Sequence, residues 1–367
     1  MQLVQTNRDT LLRPLQIVGG IVERRHTLPI LANILVKKDG ADVSFVSTDI
    51  EIQITTKAPI GAGKDAAQTT VGARKLLDIL RALPDAPVKL ALNDKKLSVE
   101  SGKSKFKLQT LAAEDFPTVA APTAWNAQLS LKQKDLKHLL AMVHFAMAQQ
   151  DIRYYLNGLL LVVDGAKVVA VATDGHRLAY CALNVDGSFP KTEVIIPRKT
   201  ILELQRLLGD GEDPVQIDIA QNQIRFTFGD IELISKLVEG KFPDYTRVIP
   251  NGYSKQFEIA RVDLQASLQR VAILTSDKFK GVRLAVSDNT IRITSTNADQ
   301  EDAQEELEVD YTAEALEIGF NVSYLLDVLA NLKCEKVQLS FGDSNSSALM
   351  TLPDDASFKY VVMPMRI

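Results

Sequence analysis

The sequence predicts an α+β protein in which one unit is written three times, each unit carrying two helices packed on antiparallel sheets. A helix stripe is the first sign. Leu11, Leu15 and Val18 share their 0, 4, 7 spacing with Leu136, Leu140 and Val143 and with Leu264, Leu268 and Val271, at offsets of 125 and 128. A second helical segment repeats as Leu76-Leu77-Asp78-Ile79, Ile201-Leu202-Glu203-Leu204 and Leu325-Leu326-Asp327-Val328, its acid recurring at offsets of 125 and 124. Length agrees: 367 residues are more than one hydrophobic core usually serves, and 367 divided by three is about 122 per unit.

The expected domains are 1–125, 126–252 and 253–367, with Ala120 to Ala127 and Asn251 to Lys255 as linkers. Each unit opens with the first helix. In unit one Pro14 removes an amide from it, which predicts a kink or a late start. Hairpins follow at Ile34 to Thr48-Asp49, Leu159 to Thr173-Asp174 and Val282 to Thr296-Asn297, turning at Asp39-Gly40, Asp164-Gly165 and Asp288-Asn289. After the second helix come further strand pairs: Val88 to Leu92 with Leu97 to Val99, Val215 to Ile219 with Ile224 to Phe228, and Val337 to Phe341 with Ala348 to Leu352. Each unit closes on an aromatic or Met before Pro, at Phe116-Pro117, Phe242-Pro243 and Met363-Pro364.

At 46% hydrophobic and 24% charged residues, the composition is that of a folded protein rather than a fibrous or disordered one. Lys and Arg number 42 against 46 Asp and Glu, so the net charge of −4 offers a polyanion no bulk attraction. Cys181 and Cys334 stand far apart, which supports neither a disulfide framework nor a cysteine metal site and fits a reducing cytoplasm. Met1 to Thr6 lacks the start of a signal peptide and no apolar run approaches a bilayer span, so neither export nor membrane insertion is expected.

The charge is unevenly spread. Arg8, Arg13, Lys132, Lys134, Lys137 and His138 accompany first helices, and Arg74, Lys75, Arg81, Arg198, Lys199 and Arg206 second helices, whereas Asp299 to Asp310 holds seven acids in twelve residues. The helix cations form either an ordinary solvated face or, if the helices line one surface, a positive stripe that tracks phosphates without reading bases. The third unit has Ala330 and Asn331 where further cations would help. Gln149 to Tyr155 interleaves amide, cation and two aromatics, a mixture suited to phosphate, sugar and base contact, or else to a strand entry with half-buried tyrosines.

Signs of catalysis are few. His26, His138, His144 and His176 form no metal-ligand spacing, and no metal or cofactor is expected. Gly61-Ala62-Gly63-Lys64 resembles a phosphate loop but has Ala58 for the first Gly and Asp65 for Ser or Thr, so a plain turn is expected. Asp174 and His176 in Thr173-Asp174-Gly175-His176-Arg177-Leu178 are the one acid-base pair a hydrolase would use. Thr48-Asp49 and Thr296-Asn297 occupy the equivalent positions, which favours a structural strand end.

Long stretches carry a family likeness: Arg24-Arg25-His26-Thr27-Leu28-Pro29-Ile30-Leu31, Gln149 to Gly158, Ala172 to Leu178, Lys241-Phe242-Pro243-Asp244-Tyr245, Gly319 to Leu329, and Tyr360 to Ile367. On these the whole chain resembles the bacterial sliding-clamp family, the beta subunits of DNA polymerase III. The resemblance implies a non-enzymatic, head-to-tail ring dimer of clamp domains around duplex DNA, which gives processivity by topology; a scaffold that binds peptides without encircling DNA is the alternative. It places Arg25, Gln150, Tyr154 and Tyr155 at DNA contacts, with Arg153 in the same segment; Arg74, Lys75, Arg81, Arg198, Lys199 and Arg206 are channel candidates from charge and repeat position.

The resemblance also implies a partner groove of Leu156, Thr173, Gly175, His176, Arg177, Leu178, Pro243, Arg247, Val248, Asn321, Tyr324, Ser347, Val361, Val362, Met363, Pro364, Met365 and Arg366. Two polarizable methionines suit a pocket that takes many related hydrophobic peptides. The implied partners are the polymerase III catalytic subunit, the clamp loader, translesion polymerases, mismatch-repair proteins, ligase and the initiator-inactivating regulator. For the dimer seam, Lys103, Lys105, Phe106 and Leu108 belong to a stretch alternating cations with apolar residues. Its lysines either guard an exposed edge or meet Glu301, Asp302, Glu305 and Glu306 of a second copy, with Ile273 and Leu274 supplying apolar contact.

Overall fold

A computed structural model describes residues 1–22, 28–276 and 280–366. Among them are six α-helices: α1 (Arg8–Val18), α2 (Ala73–Ala82), α3 (Gln133–Ala141), α4 (Arg198–Leu207), α5 (Arg261–Ala272) and α6 (Val322–Asn331). The expected stripes are what these helices bury. Leu11, Leu15 and Val18 of α1, Leu136 and Leu140 of α3, and Leu264, Leu268 and Val271 of α5 lose essentially all solvent contact, as do Leu76, Ile201 and Leu325 of the second helices. Pro14 overturns the expectation of a late start: α1 begins six residues before it and the ring is itself buried in the stripe. One intrahelical bond is lost while apolar packing is gained.

The contacts form two compact units, Met1–Lys134 with Arg206–Leu237, and Asp135–Gln205 with Val238–Ile367. The first unit holds one twelve-stranded sheet in the order Gln2–Asn7, Pro87–Asn93, Lys96–Ser101, Ser104–Leu111, Ala67–Gly72, Asn33–Asp39, Asp42–Thr48, Ile52–Ala58, Ile231–Lys236, Gln223–Phe228, Pro214–Ile219, Ala127–Lys132. Here the first repeat joins the second by backbone pairing, with Ile52 to Thr56 against Ser235 to Ile231. The segment expected to be a linker is held at its first residue, where Gln223 donates to the Ala120 carbonyl, next to Val119, whose amide donates to Gln53.

The second unit holds a six-stranded sheet, in the order Gly158–Thr173, Arg177–Pro197, Asp355–Val362, Ala348–Leu352, Lys336–Phe341, Lys255–Ala260, and a four-stranded one of Asp302–Glu308, Thr290–Thr296, Gly281–Ser287 and Leu316–Asn321. The second repeat meets the third here, with Arg177 to Cys181 paired against Val362 to Phe358. Asp39-Gly40 and Asp288-Asn289 sit where the ladders reverse, whereas Asp164-Gly165 lies inside the strand Gly158–Thr173, at a shift in its register with Arg177–Pro197. Gly40 and Gly165 both take φ 57, and Asp288 and Asn289 take φ 49 and 60, the left-handed pair a tight hairpin needs.

Gly61 to Asp65 is a turn, as expected, and its polarity is wrong for phosphate. The buried Lys38 donates its ammonium to the carbonyls of Gly63 and Asp65, so the loop presents carbonyls to a cation.

Burial pushes the Cys181 thiol up to about 12. At pH 8 only about one Cys181 in ten thousand would be thiolate. Native protein treated with a thiol reagent is expected to leave Cys181 unmodified until denaturant is added; labelling of Cys181 in the native state, read by peptide mass, would contradict this packing.

Candidate functional site

The strand end at Thr173-Asp174 repeats the one at Thr48-Asp49 bond for bond. Thr48 Oγ1 donates to the Ile52 carbonyl and accepts from the Ile50 amide, while Asp49 Oδ1 accepts from the amides of Glu51 and Ile52. Thr173 Oγ1 likewise donates to Arg177 and accepts from Gly175, and Asp174 Oδ1 takes the amides of His176 and Arg177. The middle residue is left-handed in both, Ile50 at φ 82 and Gly175 at φ 88. In the second turn a Cβ on Gly175 would lie 3.0 Å from two guanidinium nitrogens of Arg153, so a larger residue would have to shift the end of that side chain as well as adopt a left-handed backbone.

Asp174 is therefore spent on the backbone and on Arg177, whose Nε donates to its second oxygen at 3.1 Å. The His176 ring stacks on Tyr324 at 6.3 Å. A carboxylate so committed does not orient an imidazole for proton transfer, and the hydrolase reading falls.

Arg177, only 9% exposed, organises the surrounding site. Besides Asp174 it donates to Asp327 at 2.6 Å and to the Phe145 carbonyl at 2.9 Å, with its guanidinium 4.6 Å from the Tyr324 ring centroid. Buried charge this well matched acts as a frame. Phe145 and Asp327 were missing from the sequence-based site; the recurring acid of the second helices was the available signal for Asp327. Across the strand, the Met363 amide donates to the His176 carbonyl and the Met365 amide to Gly319, which fixes the C-terminal tail. Asn321 caps α6 through the Ser323 amide, and the Ser347 carbonyl accepts from Tyr253.

Leu178 and Val361 form the floor within one apolar cluster that includes Leu160 and Phe242. Leu156 and Val362 are buried, Pro364 and Met365 half-buried, and Pro243, Arg247, Val248 and Arg366 exposed. Arg247 pairs with Asp244 at 3.0 Å. Met363 is 52% exposed, whereas its repeat counterparts Phe116 and Phe242 are 6% and 8% exposed. The third unit thus offers apolar surface where the first two bury it. Two concavities in this unit, of about 790 and 950 Å³, are lined by other residues, around Cys334 and around Glu258, Asp288, Glu308 and Asp310.

Beside this site lies Gln149 to Tyr155. Asn157 holds the segment by exchanging hydrogen bonds with the backbone of Asp151, and Arg153 grips the Asp151 carboxylate with two nitrogens at 3.0 and 2.9 Å. Gln150 is left-handed at φ 56, Tyr154 is exposed, and Tyr155 is half-buried edge-to-face against it at 6.1 Å. Arg25 and His26 lie outside the described residues. On α2, Arg74, Lys75 and Arg81 are exposed, Asp78 standing 3.9 and 3.6 Å from the two arginines. Arg206 is exposed and donates to the Ile17 carbonyl at 2.8 Å. Lys199 is half-buried; so is Arg198, which burial and then Arg177 make easier to deprotonate and which reaches the Met147 carbonyl at 3.4 Å. Arg198 is less open than a channel cation should be.

The seam residues lie on two strand edges. Ser104–Leu111 pairs along its length with Lys96–Ser101 but meets Ala67–Gly72 only at Thr110 and Leu111, which leaves one edge of Ser104 to Gln109 unpaired among the described residues. Lys105 points to solvent, Phe106 and Leu108 are half-buried, and Lys103 sits in the preceding turn instead of on the strand. Asp302–Glu308 ends the four-stranded sheet and, among the described residues, pairs on one side only. Glu305 and Glu306 are already engaged, the first by Arg270 through two bonds of 2.8 and 2.6 Å and the second by Arg292 at 2.7 Å. Glu301 accepts from Asn297, and Asp302 is exposed. Ile273 is 77% exposed and Leu274 half-buried.

Arg153 holds the Asp151 carboxyl at about 2, below its usual 3.8. The charged form is therefore favoured above the ordinary value, and this support fades as pH falls towards 2. Arg153→Ala is expected to return Asp151 towards 3.8 in an NMR titration of its carboxyl carbon; a midpoint still near 2 would contradict the geometry.

Family models for the DNA polymerase III beta subunit match three successive stretches: the N-terminal domain over 1–120, the central domain over 130–244 and the C-terminal domain over 246–366. The beta sliding clamp of Pseudomonas aeruginosa is 47% identical over 363 residues, and that of Escherichia coli 44% over 363, each alignment covering 98% of both chains. A crystal structure of the Pseudomonas aeruginosa clamp bound to griselimycin superposes with a TM-score of 0.96 at 45% identity, covering all of both chains. With three repeats, their strand ends and the full-length likeness in agreement, the chain belongs to the DNA polymerase III beta-subunit family, the bacterial sliding clamps.

Proposed function

We propose that two copies close head to tail into a ring around duplex DNA and tether the replicative polymerase to it. The observation that carries this reading is the pair of unpaired strand edges on one chain, one lysine-bearing and one acidic. Edges of opposite charge suit pairing between copies, and a heterologous contact that closes after two copies makes a ring. Exposed Ile273 with Leu274 supplies the apolar part of the seam; Lys103, Lys105 and the acids set its direction. Because Glu305 and Glu306 already have partners, the seam lysines share those carboxylates or meet Glu301 and Asp302.

In this reading the domains meet near 125 and 252. Arg25, Gln150, Arg153, Tyr154 and Tyr155 touch DNA, helped by the exposed cations of α2 and α4. Phosphate contacts that are few and mobile suit sliding, since each added contact strengthens binding and its salt dependence. The floor of Leu178 and Val361, rimmed by His176, Tyr324, Val248 and Met363, takes hydrophobic peptides of the polymerase III catalytic subunit, the clamp loader, translesion polymerases, mismatch-repair proteins, ligase and the initiator-inactivating regulator. No described helix is long and apolar enough to cross a membrane.

Replacing Ile273 and Leu274 together with Ala is expected to give monomers in sedimentation and to abolish long products in loader-dependent primer extension. A dimer that still extends long products would reject the seam. Truncation before Met363 is expected to weaken a fluorescent polymerase peptide at least about tenfold while leaving the dimer intact, given how much hot-spot side chains contribute; unchanged peptide affinity would reject the pocket.

A further inference from the structure

The floor of the partner pocket continues along the sheet. Leu178, Val361 and Leu349 lie in one cross-strand row, since Leu178 pairs with Val361 and Val361 with Leu349. Two residues further on, the same pairings make a second row of Tyr180, Lys359 and Thr351. Side chains two apart share a face, so this second row extends the floor by about 7 Å, the length of two extended peptide residues. Tyr180, with Tyr245 and Leu349, packs on the same apolar cluster as Leu178 and Val361.

The second row has a distinct chemistry. Tyr245 leans on Tyr180 with centroids 5.9 Å apart, and the Lys359 ammonium sits 5.8 Å from the centroid of the Tyr180 ring. All three side chains are half-exposed. Nearby charges are matched elsewhere: Lys191, which also feels Asp164, pairs with Glu193 at 3.0 Å, Arg247 pairs with Asp244, and Asp355 accepts from the Ser357 amide. Lys359 has no carboxylate partner among the described residues, leaving a cation on an aromatic shelf one step beyond an apolar floor.

We propose that this shelf reads the flank of a bound partner peptide and favours a carboxylate two residues beyond the segment that fills the pocket. The inference rests on the pocket reading above. A partner with an acidic flank gains an ion pair at Lys359 and packing on Tyr180 and Tyr245, so Lys359 ranks partners that share the same hydrophobic segment.

The test uses the full-length protein and fluorescein-labelled peptides carrying the clamp-binding segment of a polymerase III catalytic subunit, extended at either end by Gly-Gly or Asp-Asp, with anisotropy as readout. At low salt one of the Asp-Asp peptides is expected to bind about threefold to fivefold tighter than its Gly-Gly partner, the size of an exposed ion pair. That gain is expected to vanish in Lys359→Met, to reverse in Lys359→Glu and to fade at roughly 0.5 M salt, while Gly-Gly peptides bind all three proteins alike. Equal binding of the Asp-Asp and Gly-Gly peptides at both ends, or a gain that survives Lys359→Glu, overturns the shelf alone. If no peptide binds the unaltered protein, the pocket reading falls and the shelf with it.

Discussion

Backbone pairing across the repeat boundaries is the constraint on which the rest depends. Ile52 to Thr56 pairs with Ser235 to Ile231, and Arg177 to Cys181 with Val362 to Phe358, so no repeat keeps a sheet to itself at these junctions. Each ladder starts from the same device, a Thr-Asp turn whose side chains satisfy three amides and one carbonyl. Backbone groups that change direction at a strand end lose their ladder partners, and here the Thr and Asp side chains supply replacements. The turn is thus a condition for joining repeats, and it leaves the side chains beside it free to differ.

They do differ, and the proposed pocket rests on the difference. At the first junction the Lys236 amide donates to the Glu51 carbonyl at 2.8 Å, and at the second the Met363 amide donates to His176 at 2.9 Å. The backbone is the same. In the first, Lys236 and Glu51 close the surface with an ion pair at 3.2 Å. In the second, an exposed methionine and a ring stacked on Tyr324 replace that pair, while Arg177 is held from below by Asp174 and Asp327. An apolar rim on a charged, rigid frame is what a docking pocket for hydrophobic peptides requires.

Much of this was legible in the sequence because it is local or periodic. The helix stripes, the Asp288-Asn289 turn and the equivalence of Thr48-Asp49 with Thr173-Asp174 all follow from spacing alone. What spacing does not carry is a partner far along the chain. Arg177 meets Asp327 150 residues away, and Arg270 claims Glu305 35 residues away, so acids that read as open seam charges are engaged at home. Periodicity also says which face a residue takes without saying how deep it lies, which is why Arg198 read as a channel cation yet is half-buried. Pro14 shows the converse, a local rule overruled by tertiary burial.

A net charge of −4 and a hold on DNA are compatible if the hold is topological, with acids gathered on one edge strand and cations on helices. Affinity then need not be high, and salt that dissociates ordinary phosphate contacts leaves a closed ring in place. The most direct measurement is retention of loader-assembled protein on nicked circular plasmid during gel filtration at moderate salt, before and after the plasmid is cut once. The account predicts that the protein stays with the circle and is lost as soon as the DNA is linear. Equal retention on both forms, or on neither, would contradict it.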